Sequence, residues 1–527
     1  MRKVLCFMLG VLLCHQLWAQ RTVTGTVTDD RGNPLGNVSV IIKGTNQGTV
    51  TTTDGRYSIS VPANGRTLVF SSVDMGTLEI SIGTQSTINA TLSAAQRSLE
   101  EVVVVGYGTQ QRRSFTGSAS KVDAKEFSNL VTPSIDKQLG GRAAGVQVTT
   151  SSGLVNAPAR IRIRGINSIN QANDPLIVVD GIPIISGNLS ATTNSNTLGD
   201  INPSDIENIE ILKDGSATAI YGSRAAAGVI LITTKKGTRG RARVSYDGFV
   251  GFSSALKRFD LLNADEFKII ANEKLANAGL AARAGTNAAA DTANTDWQDE
   301  VMINNAPVHS HTLSMQGGGD KTTYYLSLNF SDQKGIIISN YNRAYRVRMN
   351  VEHEANRFVK IGNNITLSRQ EDGDQNNGSN SLGGAIASAL RQLPNVSPYS
   401  ATHVSGYNIN YPTSSSMTPG ANAQTVDDNF SNVAFTLRNN KYYSDKYRII
   451  NNSFIEVSPV QDLKIRSQFG VDMLNDFSFQ GLSPFHGDGY GTPTGGTNGS
   501  LYNASQNWLR LVWTNYFNYN LTAGNHS

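Results

Sequence analysis

Cysteine is nearly absent from this sequence. Of 527 residues two are cysteine, Cys6 and Cys14. Both fall in an opening segment with the layout of an export signal, residues 1–19: Arg2 and Lys3, an apolar run from Val4 to Leu13, and the small residue Ala19 before Gln20. That apolar run is too short to span a bilayer, and the bulky Leu13 ahead of Cys14 argues against a lipidated cysteine. The exported chain therefore has neither disulfides nor cysteine metal sites to hold it together. Long apolar runs are absent too, so any membrane passage must be made by a β-barrel. Charge of one sign is scarce. The net charge is +4, and removal of Arg2 and Lys3 leaves +2, too weak a field to imply a nucleic-acid partner.

Catalytic signatures are missing as well. There is no G-x-S-x-G and no Walker A sequence. His353-Glu354 lacks the second histidine of H-E-x-x-H, since Arg357 stands there. His309 and His311 share a strand face without a nearby third ligand. Asp372, Asp374 and Asn376 imitate a calcium loop, yet Asn377 replaces its glycine and Gly383 its bidentate glutamate. Val102 to Val105 run into Gly106-Tyr107-Gly108, but Gln111 occupies the third glycine of a dinucleotide fingerprint. No catalytic residue, metal site or cofactor is implied.

What is present begins with short alternating runs in residues 21–95: TVTGTVTD, VSVIIKGT, YSISVP and TLVFSSV, separated by Gly-, Pro- and Asp-rich turns. They predict a β-sandwich of about seven strands. The stretch GTVTDDRGNPLGNVSVIIKGTNQGTVTTTDGRYSI resembles the carboxypeptidase-regulatory-like domain, a transthyretin-like accessory fold with no peptidase chemistry of its own. Residues 99–108 hold Glu101 and the four valines, an extended peptide able to add a strand to a partner's sheet.

Residues 110–237 read as an α/β unit. Its last part, NPSDIENIEILKDGSATAIYGSRAAAGVILITTKKG, predicts a helical turn capped by Asn202 with Pro203 at its start, and a strand through Ile209, Ile211 and Leu212. A turn at Lys213-Asp214-Gly215, a second small helix closed by Gly222, and a buried strand Val229–Thr234 follow.

From Arg241 to Ser527 the texture changes to long alternating runs. Tyr345, Val347, Met349 and Val351 oppose Arg346, Arg348, Asn350 and Glu352; Leu463, Ile465, Phe469, Val471 and Met473 oppose Lys464, Arg466, Gln468 and Asp472. About eight strands are predicted, near 243–252, 308–316, 323–331, 343–352, 358–369, 446–457, 463–473 and 507–521, most of them about ten residues long. Both a tilted membrane strand and a soluble sandwich fit that length and alternation. A capping box at Asn263 and Glu266 opens a helix reaching Leu280. Residues 370–440 read as a loop with one short helix near Ala385–Leu393.

With EEVVVVGYGTQ, IRIRGINS, PLIVVDGIP and the NPSDIENIEILKDGSATAIYG segment in this order, the chain is identified as similar to the SusC/RagA family of TonB-dependent outer-membrane transporters. The resemblance implies a mainly β protein in the Gram-negative outer membrane: a transthyretin-like sandwich, an α/β plug at 110–237, and from residue 241 the first part of an antiparallel barrel of 22 strands. The eight strands found are fewer than that barrel needs, so the sequence is expected to be a fragment. The resemblance makes Glu101, Val102, Val103, Val104 and Val105 the TonB box. It makes Arg164, Gly165, Asp180, Gly181, Lys213, Asp214, Tyr221 and Gly222 plug-motif positions. The implied partners are TonB with its proton-driven inner-membrane motor, a SusD-like surface lipoprotein, outer-membrane lipid, and an oligosaccharide or peptide cargo. The plug and N-terminal domain are expected on the periplasmic side. A metal-chelate (siderophore) receptor, or a surface receptor or adhesin without transport, is the alternative. The plug–barrel contact is expected to be polar. Arg142, Arg162, Arg164 and Arg224 are candidates to face Glu352 and Asp472, against a plainer reading in which they sit on solvated plug surface.

Overall fold

A computed structural model describes residues 21–93, 102–105, 108–111, 118–123, 134–281, 292–374, 384–410, 431–489 and 499–519, apart from a few isolated positions within these ranges. The export signal and Glu101 lie outside the described residues. The chain divides into two units at residue 101.

The first unit has seven strands: β1 (Arg21–Asp29), β2 (Ser39–Ile42), β3 (Gly48–Val50), β4 (Arg56–Val61), β5 (Thr67–Ser71), β6 (Leu78–Ser81) and β7 (Ala90–Leu92). They form two sheets, in the orders β4-β1-β7 and β3-β2-β5-β6. Strict alternation in β4 sends Tyr57, Ile59 and Val61 inward against Val23, Val40, Leu68 and Phe70. The buried Tyr57 hydroxyl donates to the carbonyl of Ile88 at 2.8 Å.

The second unit opens with β8 (Val102–Val105) and β9 (Gly108–Gln111), an antiparallel pair in which Val102 faces Gln111. The valine peptide is thus a hairpin arm rather than an unpaired strand. Its other backbone edge has no strand beside it among the described residues.

Next comes a five-stranded sheet in the order β10 (Ala119–Asp123), β15 (Ile206–Leu212), β16 (Val229–Thr234), β13 (Leu176–Val179), β14 (Ile182–Pro183). The hairpin β11 (Val146–Thr150) and β12 (Ala159–Ile163) stands apart from it. The predicted buried strand is β16. Ile230 and Ile232 feed one core, with Ile177, Val179, Ile209 and Ile211. Val229 and Leu231 feed another, with Val178, Leu212 and Tyr221. A strand that supplies both faces reads as a continuous apolar run for this reason. Asn202 caps a single 3-10 turn, Pro203–Asp205, by accepting from the Ser204 amide. The small helix begins at Gly215 and is closed at Gly222 as expected: that glycine leaves the helical conformation at φ +70°, and a separate short turn follows to Ala225.

The remaining strands make one antiparallel sheet in sequence order: β17 (Gly240–Ser253), β18 (Ala306–Gly318), β19 (Thr322–Lys334), β20 (Tyr341–Glu354), β21 (Val359–Asp374), β22 (Lys441–Val460), β23 (Leu463–Leu482) and β24 (Ser500–Tyr519). All eight predicted strands exist, but they run to 13–20 residues rather than about ten. The extra length lies mainly at the long-loop end. There polar residues occupy both faces, as in Arg343 and Glu371, and the alternation signal fades.

Which face is buried decides between sandwich and membrane wall. In β20 the buried positions are Asn342, Ala344, Arg346, Arg348 and Asn350, while Tyr345, Val347 and Met349 are turned out and exposed. Leu367, Phe469, Leu511 and Trp513 are likewise exposed. Polar inside and apolar outside is the reverse of a soluble sandwich and is the pattern of a wall in lipid. Turns are short at one end of the sheet (319–321, 355–358, 461–462). At the other end stand long segments at 254–305, 375–440 and 483–499.

The described parts of those segments pack on each other. The capping box at Asn263 and Glu266 is present, on the helix Ala264–Asn277. Among the described residues of 370–440 stand two helices, Ala385–Arg391 and Val433–Asn439, where one was expected. They bury Ala389, Leu393, Val433 and Leu437 against Trp297 and Val301. Asn432 caps the second helix and donates its own amide to Nε2 of buried His486 at 2.6 Å. Burial lowers the His486 pKa from 6.5 to about 3. Its folded pKa lies below its unfolded one, so this stabilisation is complete above pH 6.5 and falls away as acidity increases toward pH 3. At pH 5 the loop layer should be about 2 kcal/mol weaker than at pH 7.5. Hydrogen exchange of amides 432–437, corrected for intrinsic rate, should report that loosening, and His486→Gln should flatten it.

Candidate functional site

The candidate site is the seat of the α/β unit against the inner face of the wall. The wall's alternation forces a polar inner face, and that face needs partners once covered. Arg348 of β20 is nearly fully buried, and so is Asp180, its partner at 2.5 Å. Asp180 also accepts from the amide and hydroxyl of Thr234, both at 3.0 Å. Asp180-Gly181 forms the two-residue turn of the hairpin β13–β14, with φ of +48° and +86°. Aspartate and glycine tolerate that geometry, so the turn and the ion pair use one dipeptide. Asn452 and Gln468 of the wall donate to the carbonyls of Asp180 and Gly181, at 2.8 and 3.3 Å. The hairpin comes this close because the wall residue beneath is Gly470. A Cβ there would lie 2.4 Å from Ile182 Cδ1.

A second station lies at residues 184–200. Arg448 is fully buried. It donates to Asp472 at 2.9 Å, to Asp200 at 3.1 Å, and to the carbonyls of Thr197 and Ile185 at 2.8 and 2.6 Å. The Ile185 amide donates back to Asp472 at 2.6 Å. Lys446 reaches Asp200 at 3.5 Å, and Arg346 donates to the Gly199 carbonyl at 2.8 Å. Asp372 accepts from Asn156 and Ser195, and Asp374 from Asn194. These two aspartates, which imitate a calcium loop in sequence, are wall residues holding this seat.

At the third station Tyr325 donates to buried Asp205 at 2.8 Å, and Lys236 pairs with Glu352 at 2.8 Å. Burial raises the Asp205 pKa, opposed by its hydrogen bonds and by Arg348.

The contact is polar as expected. Its buried basic residues sit on the wall, and its carboxylates come from both sides: Asp180, Asp200 and Asp205 from the plug, and Asp372, Asp374 and Asp472 from the wall. Arg162 pairs with Asp174 at 2.5 Å, Arg164 with Asp214, and Arg142 donates to the Gln138 carbonyl, all within the α/β unit. Glu352 pairs with Lys236 and Lys360, and Asp472 with Arg448. Arg346, Arg348, Lys446 and Arg448 were missed as anchors. A sequence signal for them exists: pairs of basic residues two apart, both on the inward phase of an alternating strand.

The other motif positions hold the unit's own edge. Asp214 accepts from the Ser118 amide at 2.7 Å, while Lys213 donates to Ser120 and to the Ala144 carbonyl. Desolvation, then nearby Arg164, lowers the Lys213 pKa. Arg164 and Gly165 take positive φ at a turn, and Tyr221 is buried in the core. Asp136 is buried and accepts from Ala159 at 2.6 Å and from Asn196 at 2.9 Å. His311 stacks on Tyr246, His309 packs at a tilt against Phe330, and no group of three metal-ligating residues forms among the described residues.

A plug seated inside a membrane β-wall defines the class, and comparison with known proteins agrees. Residues 111–229 match the TonB-dependent receptor plug domain, and residues 23–104 the CarboxypepD_reg-like domain. The chain is 34% identical over its whole length to TonB-dependent receptor P3 of Formosa agariphila, covering 49% of that protein. It is 40% identical over 67% of its length to TonB-dependent receptor SusC of Bacteroides thetaiotaomicron, covering 34% of it. In fold it is similar to the RagAB peptide importer in its open-open state, with TM-score 0.62 at 24% identity, over 80% of this chain and 47% of that one. The chain belongs to the SusC/RagA-like family of TonB-dependent outer-membrane receptors. It spans about half, or less, of the length of the curated relatives it matches.

Asp180→Asn keeps the turn but leaves the buried Arg348 without its counter-charge. It should weaken plug seating by about 3 kcal/mol, seen as a lower unfolding temperature of the plug. Adding Arg348→Met should recover most of the loss. An unchanged single variant would show that the pair does not anchor the plug.

Proposed function

We propose that this protein imports a large nutrient, an oligosaccharide or peptide, across the outer membrane. TonB pulling on Val102–Val105 would supply the energy, and a SusD-like surface lipoprotein would present the cargo. The long-loop end faces outward on this reading, and the short-turn end, with the plug's entry, faces the periplasm. Support comes from family membership, from a relative in fold that is a peptide importer, and from one structural observation that carries the reading. The plug is held in two ways.

The described residues between 155 and 205, with 234–236, grip the wall through the three stations. The described residues 118–123 and 134–150 are fastened chiefly to the plug itself. Strand β10 is an edge strand with one neighbour, β15, over five residues. Its start is fastened by Asp214 and Lys213, and the following helix Ile135–Gln138 by Asp136. Tension from the hairpin β8–β9 arrives at this edge first. A short edge strand is the low-stability part of such a domain, whereas separating a buried ion pair leaves an uncompensated charge at a cost of about 3–5 kcal/mol. Tension would therefore strip the edge while the wall-anchored half stays, opening a path without opening the wall.

TonB would join the unpaired edge of β8 or replace β9, adding a strand through main-chain bonds. Val103→Pro removes one backbone donor from that strand and should abolish cargo uptake by cells while leaving cargo binding unchanged. Wild-type uptake in this variant would remove Val102–Val105 as the TonB-binding segment.

A further inference from the structure

The lipid-facing side of the wall carries charge at one level only along its middle strands. Strands β19 to β22 are each paired on both edges, so the face they turn outward is complete. The outward positions of β20 from Tyr345 to His353 hold no acid, lysine or arginine. The same holds for β19 from Phe330 to Thr322, β21 from Leu367 to Val359 and β22 from Tyr447 to Val457. From Arg343 to His353 a strand tilted by about 40° climbs about 25 Å, the height of an outer-membrane apolar band.

At the long-loop edge of that band comes an aromatic tier. Phe330 packs on Tyr345 with ring centres 5.1 Å apart, and Tyr447 on Phe477 at 6.3 Å. Such rings mark the level of the lipid headgroups. One step further out stands an unbroken row of charge. Asp332 opposes Arg343, Arg343 opposes Glu371, and Glu371 opposes Asp445. Arg343 donates to Asp332 at 3.0 Å and to Glu371 at 3.4 Å. Arg369 lies over the Tyr447 ring at 5.4 Å and joins the two like charges, reaching Asp445 at 3.0 Å and Glu371 at 2.9 Å.

Cross-strand pairing accounts for opposite charges in register. It does not account for which sign is uppermost. The side chains of Asp332, Glu371 and Asp445 are 17%, 25% and 25% exposed, those of Arg343 and Arg369 39% and 43%. The acids lie beneath and hold the guanidinium groups at the surface. The bonds of Arg369 to the row use Nε and Nη2, so Nη1 keeps its donors for a further acceptor. Exposed Lys334 and Lys441 stand on the same face, two residues beyond Asp332 and four beyond Asp445. The surface offered at headgroup level is therefore cationic.

We propose that this row is a docking surface for the phosphorylated sugar headgroups of the outer-leaflet glycolipid. Guanidinium forks match phosphate oxygens, and lysines just outside an apolar band attract anionic lipid. The assignment concerns the outside of the wall, apart from plug and cargo, and it rests on the long-loop end facing outward.

The test is native mass spectrometry of the intact protein in detergent, without TonB or cargo. The probes are monophosphoryl lipid A, the same lipid A after phosphatase treatment, and phosphatidylglycerol. Monophosphoryl lipid A should bind at least tenfold tighter than either of the others. Arg343→Gln with Arg369→Gln should remove at least tenfold of that affinity. Lys334→Gln with Lys441→Gln should weaken it about threefold; this variant leaves every ion pair of the row in place, so it tests the surface even if the arginine variant fails to fold. A row that only ties strands together predicts a lower melting temperature in the arginine variant and unchanged lipid binding in both. No lipid A binding, no loss on dephosphorylation, or wild-type binding by the folded variants would overturn the docking surface. Preference for phosphatidylglycerol would overturn it by way of the orientation. Absent lipid binding leaves import untouched, and failed uptake with lipid binding intact counts against import alone.

Discussion

The structure depends on the burial of charge between plug and wall. A strand in lipid must turn its apolar face outward, so its polar face points into the lumen whether or not anything waits there. Filling that space with an apolar core would take from Arg348, Lys446 and Arg448 their plug partners Asp180 and Asp200, and from Arg346 the Gly199 carbonyl, a loss of several kcal/mol. The plug answers with Asp180, Asp200, Asp205 and a series of backbone carbonyls. Its own core is an ordinary apolar sheet, but its outer surface is matched to the wall group by group. Removing the whole plug as one body would break all three stations together.

That cost has a mechanical consequence. A device that opens under tension cannot release its strongest contacts first. The chain order places the pulled segment next to the plug's weakest edge. Among the described residues strand β10 pairs with β15, and Lys213 and Asp214, both in the turn that follows β15, fasten its start. The strongest anchors come later, at Asp180 and at residues 184–200. The order of elements along the chain is then also an order of release.

Much of this was legible in the sequence. Alternation located every wall strand, because the two faces of a membrane strand meet different solvents. The continuous run Val229–Thr234 marked the central plug strand, because both of its faces are covered. The capping box at Asn263 worked because it is purely local. What failed was non-local. The helix Val433–Asn439 lies in a polar, Asn- and Ser-rich stretch and is fixed by packing on Trp297 and by the Asn432 cap, which no periodicity announces. The pairing of Val102–Val105 with Gly108–Gln111 was hidden by the polar composition of the second arm. Which charges meet across plug and wall stayed open between two readings, because a sequence shows which residues are charged and not which face each other. Arg162 and Arg164 find partners inside the plug, within reach of its own turns.

The central claim is that the two halves of the plug part company during import. Residues 20–527 hold no cysteine, so a pair of cysteines introduced there meets no native thiol within that stretch. Asp123 and Asn208 are directly opposed across β10 and β15, and Ser190 and Ser478 touch across plug and wall. The direct measurement is TonB-dependent cargo uptake with each pair oxidised and then reduced. The account predicts that the Asp123→Cys/Asn208→Cys cross-link blocks uptake until reduced, while the Ser190→Cys/Ser478→Cys cross-link leaves uptake near normal. Free uptake through the first cross-link, with a block by the second, would contradict it.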